Sequence, residues 1–233
     1  MSSRQRFLGT TQQHAYLYLR DMILTGAYAG GQKINPAKVA EELDISRMPV
    51  REALRQLDSE GLITMRPNRG AVVTILTASE VLEVFEIRGV LEGLAVRTAL
   101  AGLTDEDIDD LDHRRRRMDR VRDEPKRWIS RHDEFHDHLC SRSGRPRLTR
   151  EIARLRASVQ PYLQIYIAHH ASPEMTGFEH DGLMELVRQR DEARAEEYMR
   201  DHIMSAAHGV IDYLKQPDHE RSAEPSGSGA AAA

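Results

Sequence analysis

Four histidines and one stripe of arginines carry the chemistry open to this chain. His132 and His136 stand four residues apart, so on a helix they share one face, together with Trp128, Phe135 and Leu139. His180 falls on the apolar stripe of Leu183, Met184 and Val187, and His202 on that of Ala195, Met199 and Ala206, so both also face an interior. His138 and His208 fall off these stripes. Four imidazoles from three helices meeting in one interior are costly unless they share hydrogen bonds or a cation. Neutral imidazole is a good ligand for divalent transition metals, so His132, His136, His180 and His202 read as a metal site for Zn, with Ni as a second choice. A hydrogen-bonded histidine core is the bland alternative.

The arginines point to a different partner. Arg47, Arg51 and Arg55 recur every fourth residue, while Val50, Ala53, Leu54 and Leu57 form the opposite, apolar stripe of the same helix. Ser46 stands at the N-cap and Pro49 is tolerated in the first turn. After Gly61 the pattern turns strand-like through Leu62, Ile63 and Met65, reverses through Pro67, Asn68, Arg69 and Gly70, and returns through Val72, Val73 and Ile75. Upstream, Ala15, Leu19, Met22 and Ile23 make a helical face that Gly26 can end, and Asn35-Pro36 opens a second helix through Leu43. Helix, helix, recognition helix and wing in this order make a winged helix-turn-helix. Its DNA-contacting set is Ser46, Arg47, Met48, Arg51 and Arg55 on the helix, with Arg66, Asn68, Arg69 and Gly70 on the wing.

The net charge of −4 hides two different halves. Residues 1–75 hold 10 Lys+Arg against 7 Asp+Glu, a balance of +3, and the rest hold 23 against 30, a balance of −7. Phosphate binding therefore belongs to the N-terminal part. The 233 residues suffice for two domains, and the single Cys140 forbids an internal disulfide and suits a reducing, cytoplasmic setting. No apolar run reaches membrane-spanning length, and the polar N-terminus lacks a signal-peptide core, so no membrane partner is expected.

Three segments are expected: a DNA-binding domain over 1–76, a helical effector-binding and dimerisation domain over 77–216, and a disordered tail over 217–233. Thr77 to Glu80 and Thr104 to Asp107 are capping-box patterns, predicting helices through about Leu100 and about Arg122. Further helices are predicted at Lys126 to Ser141, Arg147 to His169, Pro173 to Arg190 and Asp191 to Lys215. The acidic run Asp105 to Asp112 and the basic run Arg114 to Arg117 read as solvated faces without function. The fold class is mainly α, a winged helix-turn-helix followed by an all-helical domain.

The stretch SRMPVREALRQLDSEGLI resembles the signature of GntR-family bacterial transcription regulators, over about Tyr16 to Ile75. The segments at 84–99, 132–148 and 178–203 resemble the FadR subgroup with its FCD effector domain, more loosely than the head, and that resemblance implies an antiparallel all-helical bundle over 77–216. That resemblance implies a metal held by an acidic residue and three histidines, which His136, His180 and His202 match one by one. His132 stands where the family usually has Asp or Asn. It is then either a fourth nitrogen ligand, the reading we favour, or a group behind the ligands. The adjacent Asp133, about 100° away around the helix, is expected to play no part. Arg88 reads on its own as a salt-bridge partner of Glu92 at i+4, and by resemblance as a clamp for an effector carboxylate.

The function expected is a homodimeric regulator of a palindromic double-stranded DNA operator. It reads as a repressor released by a small carboxylate metabolite bound near the metal, and not as an enzyme. The alternative is a metal-dependent hydrolase with an appended winged-helix head. No carboxylate or Ser/Cys nucleophile stands beside the histidines at a recognisable catalytic spacing to support it. A winged helix used for protein contacts alone is disfavoured by the basic face and wing.

Overall fold

The computed structural model describes residues 10–66, 70–170 and 173–215. Asn68 and Arg69 of the expected wing tip, and the tail from residue 217, lie outside them. The chain forms two compact units that divide between Ile75 and Leu76.

The first unit begins with α1, Thr11–Leu24, whose N-cap Thr10 side chain accepts from the Gln13 N–H. Ala15, Leu19, Ile23 and Leu24 are its buried residues; Met22, placed on that face by the sequence, is only half-buried. A two-residue strand, β1 (Lys33–Ile34), precedes α2 (Pro36–Glu42), where the Asn35 side chain caps Ala37 as its Asn-Pro pair requires. The helix α3, Arg47–Ser59, buries Val50, Ala53, Leu54 and Leu57. Ser46 occupies its N-cap position with extended backbone, but its hydroxyl makes no capping bond, contrary to the capping role expected of it. The strands β2 (Ile63–Arg66) and β3 (Gly70–Val73) pair antiparallel, and β1 joins the other edge of β3. In β3, Ala71 and Val73 face the core while Val72 faces outward. Ile75 lies beyond the strand and is exposed. The core of this unit is assembled from α1, α2, α3 and the inner faces of the strands. Asp58 of α3 accepts from the Met65 N–H at 2.8 Å, which fixes where the hairpin leaves the helix.

The second unit is helical: α4 (Ala78–Leu100), α5 (Asp105–Asp119), α6 (Pro125–Ser141), α7 (Pro146–His170), α8 (Pro173–Gln189) and α9 (Glu192–Leu214). Both capping boxes form, Thr77 with Glu80 and Thr104 with Asp107. The helix α5 ends three residues before the expected Arg122. The Leu76 N–H donates to the Tyr162 hydroxyl of α7 at 2.5 Å, which ties down the entry to α4. α4 lies along α9, and α6, α7 and α8 pack around this pair. Gly182 of α8 marks a close approach: a Cβ there would lie 2.3 Å from the hydroxyl oxygen of Tyr198 on α9.

The charged runs on α5 are not simply solvated. Asp112 is buried and pairs with Arg115, Arg116 and, across to α8, Arg188 at 3.0 Å, while Arg115 also reaches Asp119 and Asp181. These runs close α5 onto α8, because one turn of helix sets the Asp112 carboxylate under several guanidinium groups at once.

Candidate metal centre and DNA-reading face

All four histidines predicted from their stripes meet in one place. His132 and His136 project from α6, His180 from α8 and His202 from α9, all buried, and one ligand nitrogen from each lies within 4.8 Å of the others. His136 Nε2 and His180 Nε2 are 3.2 Å apart, and the His136 and His202 rings stack with centroids at 5.1 Å. Trp128 and Phe135 wall the cluster, at 4.9 Å from His132 and 5.6 Å from His180 between centroids.

Burial, and then the neighbouring His202, push His132 well below the ordinary histidine range; burial, and then His132, do the same to His136. Both rings are therefore neutral, the form that binds a metal. Two nitrogens bound to one first-row divalent ion at the usual lengths lie about 3.3 Å apart in a tetrahedron, close to the His136 to His180 separation. A spread of up to 4.8 Å across the set is wider than that edge, so the four do not close a tetrahedron as they stand. The Nδ1 atoms of His132 and His136 are buried without a hydrogen-bond partner among the described residues. These residues fit a divalent transition metal: a buried, nitrogen-only donor set in which the His132 and His136 Nδ1 atoms lack a hydrogen-bond partner among the described residues.

Beside the cluster lies a buried ion network. Glu92, fully buried on α4, accepts from Arg88 Nε at 3.0 Å and from Arg156 of α7 at 2.8 Å. Burial alone would raise its pKa, but Arg156 and then Arg88 outweigh burial and hold the carboxyl below its ordinary value. Arg156 also pairs with Asp137. Arg88 thus makes the i+4 salt bridge anticipated for it, lies over the Phe85 ring, and keeps its NH1 buried without a hydrogen-bond partner among the described residues. Asp133, expected to take no part, lies with Oδ1 3.6 Å from His132 Nδ1 and accepts from Gln160 at 2.7 Å. A rotation of about 100° separates adjacent side chains at the helix surface, but a ring nitrogen and a carboxylate can still bend toward each other. Burial pushes the Cys140 thiol up, which makes it an inert core group.

Sequence reasoning missed Glu92 as a site residue, and Arg156 and Gln160 entirely. A signal existed for Arg156: it sits on the inward stripe of Ile152, Val159 and Leu163, where a charge needs a buried partner.

On α3 the arginines separate into two kinds. Arg55 is engaged by Glu52 at 2.8 Å. Arg47 and Arg51 are exposed and make no ion pair among the described residues, and Met48 beside them is 59% exposed. Arg66 ends β2 exposed, and Gly70 has φ +77, a left-handed value that suits a residue without Cβ where the wing returns. Lys33 of β1 was overlooked, because two residues are too few to show a period. Its Cε would lie 3.6 Å from a Cβ at Gly70, which places a further cation at the base of the wing.

Residues 11–73 match the family of bacterial regulatory proteins, gntR family, and residues 83–205 match the FCD domain. A Bacillus subtilis relative named as the HTH-type transcriptional regulator YdhC is 37% identical over 40% of this chain and 42% of its own length. The Escherichia coli HTH-type transcriptional repressor GlaR is 28% identical over 84% of this chain and 93% of its own. Among solved structures, Escherichia coli McbR/YncC superposes with a TM-score of 0.72 at 23% identity, covering 89% of this chain and 98% of that one, a likeness of fold. These relatives are regulators of transcription, not enzymes, and no helix among the described residues is long and apolar enough to cross a membrane. The chain belongs to the GntR family of bacterial transcription regulators, with an FCD domain behind its winged helix-turn-helix.

Proposed function

We propose that this regulator is a metal-bearing, ligand-responsive repressor that acts as a homodimer on a palindromic operator. Arg47, Arg51 and Met48 read the major groove while Ser46 and the N–H groups of the first turn of α3 meet phosphate, an arrangement supported by two exposed arginines without an ion pair among the described residues and by a Ser46 hydroxyl that makes no capping bond. Arg66 and Lys33 with the wing residues Asn68, Arg69 and Gly70 approach the adjacent groove; Arg55, already paired, adds least. Two copies are needed because one recognition helix reads only a few base pairs. Ile87 and Val90, 42% and 53% exposed, form with Leu91 and Leu94 an apolar strip on α4 that we assign to the dimer contact.

The observation that carries the effector reading is that four buried imidazoles lie beside Glu92, whose partner Arg88 keeps its NH1 buried without a hydrogen-bond partner among the described residues. His132, His136, His180 and His202 would hold Zn or Ni, which supplies a Lewis-acid position for an oxygen ligand, and Arg88 NH1 would bind a carboxylate of the same molecule. That chemistry favours a small di- or hydroxycarboxylate over an apolar or cationic effector. The Escherichia coli relatives GlaR and RspR are named repressors, which supports release rather than activation. Effector binding changes operator affinity only if it favours one dimer arrangement, through a coupling of about 1–3 kcal/mol. The segment from Leu76 to Glu80, held by Tyr162, is the place for it.

Operator fragments retained by the purified protein, titrated with a panel of such acids, test this. Wild type should release DNA; Arg88→Lys, which keeps a charge for Glu92 but loses the forked guanidinium, should respond only at higher concentration. Equal responses from the two proteins would remove Arg88 from the effector site. Thermal shifts with apolar ligands alone would remove the carboxylate.

A further inference from the structure

The helix α7 contributes none of the four histidines, yet two of its side chains, one turn apart, hold carboxylates against them. Arg156 NH2 donates to Glu92 Oε2 at 2.8 Å, and the same oxygen stands 4.0 Å from His136 Nδ1. Gln160 Nε2 donates to Asp133 Oδ2 at 2.7 Å, and the other oxygen of that carboxylate stands 3.6 Å from His132 Nδ1. Those two Nδ1 atoms are the imidazole nitrogens buried without a hydrogen-bond partner among the described residues. The pattern is therefore duplicated: an unsatisfied ring nitrogen, a carboxylate facing it, and a residue of α7 behind the carboxylate.

We propose that Glu92 and Asp133 are the positioning residues of the histidine site, and that α7 sets their orientation through Arg156 and Gln160. The inference rests on the metal reading above. An imidazole that binds a cation through one nitrogen carries its proton on the other, and in a dry interior that N–H needs an acceptor. His136 fits this division, with Nε2 turned toward His180 and Nδ1 toward Glu92. A carboxylate acceptor fixes the tautomer, stops the ring from rotating and makes it a stronger donor to the metal. Both gaps are longer than a hydrogen bond, and a shift of about 1 Å or less at each Nδ1 closes them, the tightening seen when such sites fill. Arg88 gains a second task here, since its Nε bond to Glu92 Oε1 leaves Oε2 for Arg156 and His136. Asp133 thus has a role despite its direction on the helix.

The test uses the full chain, stripped and reloaded with Zn, with affinity read by chelator competition. Glu92→Gln and Asp133→Ala should each bind Zn about 10–100-fold more weakly than wild type. Gln160→Leu, which leaves both carboxylates and all four histidines in place, should weaken it in the same direction. A purely structural role is separated by proton NMR of the Zn-loaded protein: wild type should show slowly exchanging imidazole N–H resonances for His132 and His136, and Asp133→Ala should lose the first alone. Should Glu92→Gln fail to fold, Asp133→Ala and Gln160→Leu decide. Unchanged affinity and unchanged resonances in those variants overturn the positioning role while leaving the metal reading intact. A wild-type chain that takes up no Zn overturns the metal reading and this inference with it.

Discussion

The same side chain does opposite work in the two units. On α3, Arg47 and Arg51 stand in water with no ion pair among the described residues; in the helical unit Arg88 and Arg156 are 2% and 5% exposed and share Glu92. A solvated guanidinium costs the fold almost nothing and stays available to any phosphate that arrives. A buried one must be paired within the folded core, so its remaining donors can serve only a ligand that enters the same interior. The two exposed arginines of α3 thus add little to the stability of their unit, whereas the network around Glu92 is part of the core of the other.

The comparison breaks most visibly at Glu92. Replacing it by Ala strands two guanidinium groups in the core and should cost about 3–5 kcal/mol in urea denaturation, whereas the Arg47→Ala, Arg51→Ala pair should unfold with wild type. A head double mutant that melts early would show that those arginines are structural after all. Next in size is metal removal. With free Zn at a hundred times its Kd, the loaded chain should gain about 2.7 kcal/mol over the stripped one, read as a rise in Tm. No thermal shift with Zn or Ni would leave the four imidazoles as a hydrogen-bonded core. Operator affinity of Arg51→Ala should fall by about 1–3 kcal/mol with stability unchanged, if its fork meets a guanine edge. The smallest effect belongs to Arg55→Ala. An exposed i,i+3 pair with Glu52 is worth a few tenths of a kcal/mol at most, so denaturation should hardly move and operator binding should fall less than for Arg51. A loss at Arg55 equal to that at Arg51 would mean that Glu52 lets go on DNA.

What could be read from the sequence was local. The stripe of Val50, Ala53, Leu54 and Leu57, the Asn35 cap and the boxes at Thr77 and Thr104 depend on neighbours within one turn or two, and each forms. The histidines were legible for a related reason: every one lies on an apolar stripe, and a polar residue there must meet another inside. Partners distant in the chain were not. Glu92 and Arg156 are 64 residues apart, and Asp112 and Arg188 are 76 apart, so periodicity could show an inward charge on α7 but not what neutralises it. Ser46 illustrates the limit at short range. Its type and position announce a cap, yet a cap bond depends on a rotamer that the sequence does not specify.

Gly182 has a bearing on the histidines that its own blandness conceals. It lies two residues after His180, and Tyr198, whose ring occupies the space a side chain would need, lies four residues before His202. The close approach of α8 and α9, which carry His180 and His202 with rings 4.8 Å apart, thus depends in part on a residue without a side chain. Adding a single methyl group at 182 would force the tyrosine ring aside or the helices apart, and the second adjustment would widen the spacing of the histidine pair. The site is exposed to mutation at a position that no inventory of ligands would include.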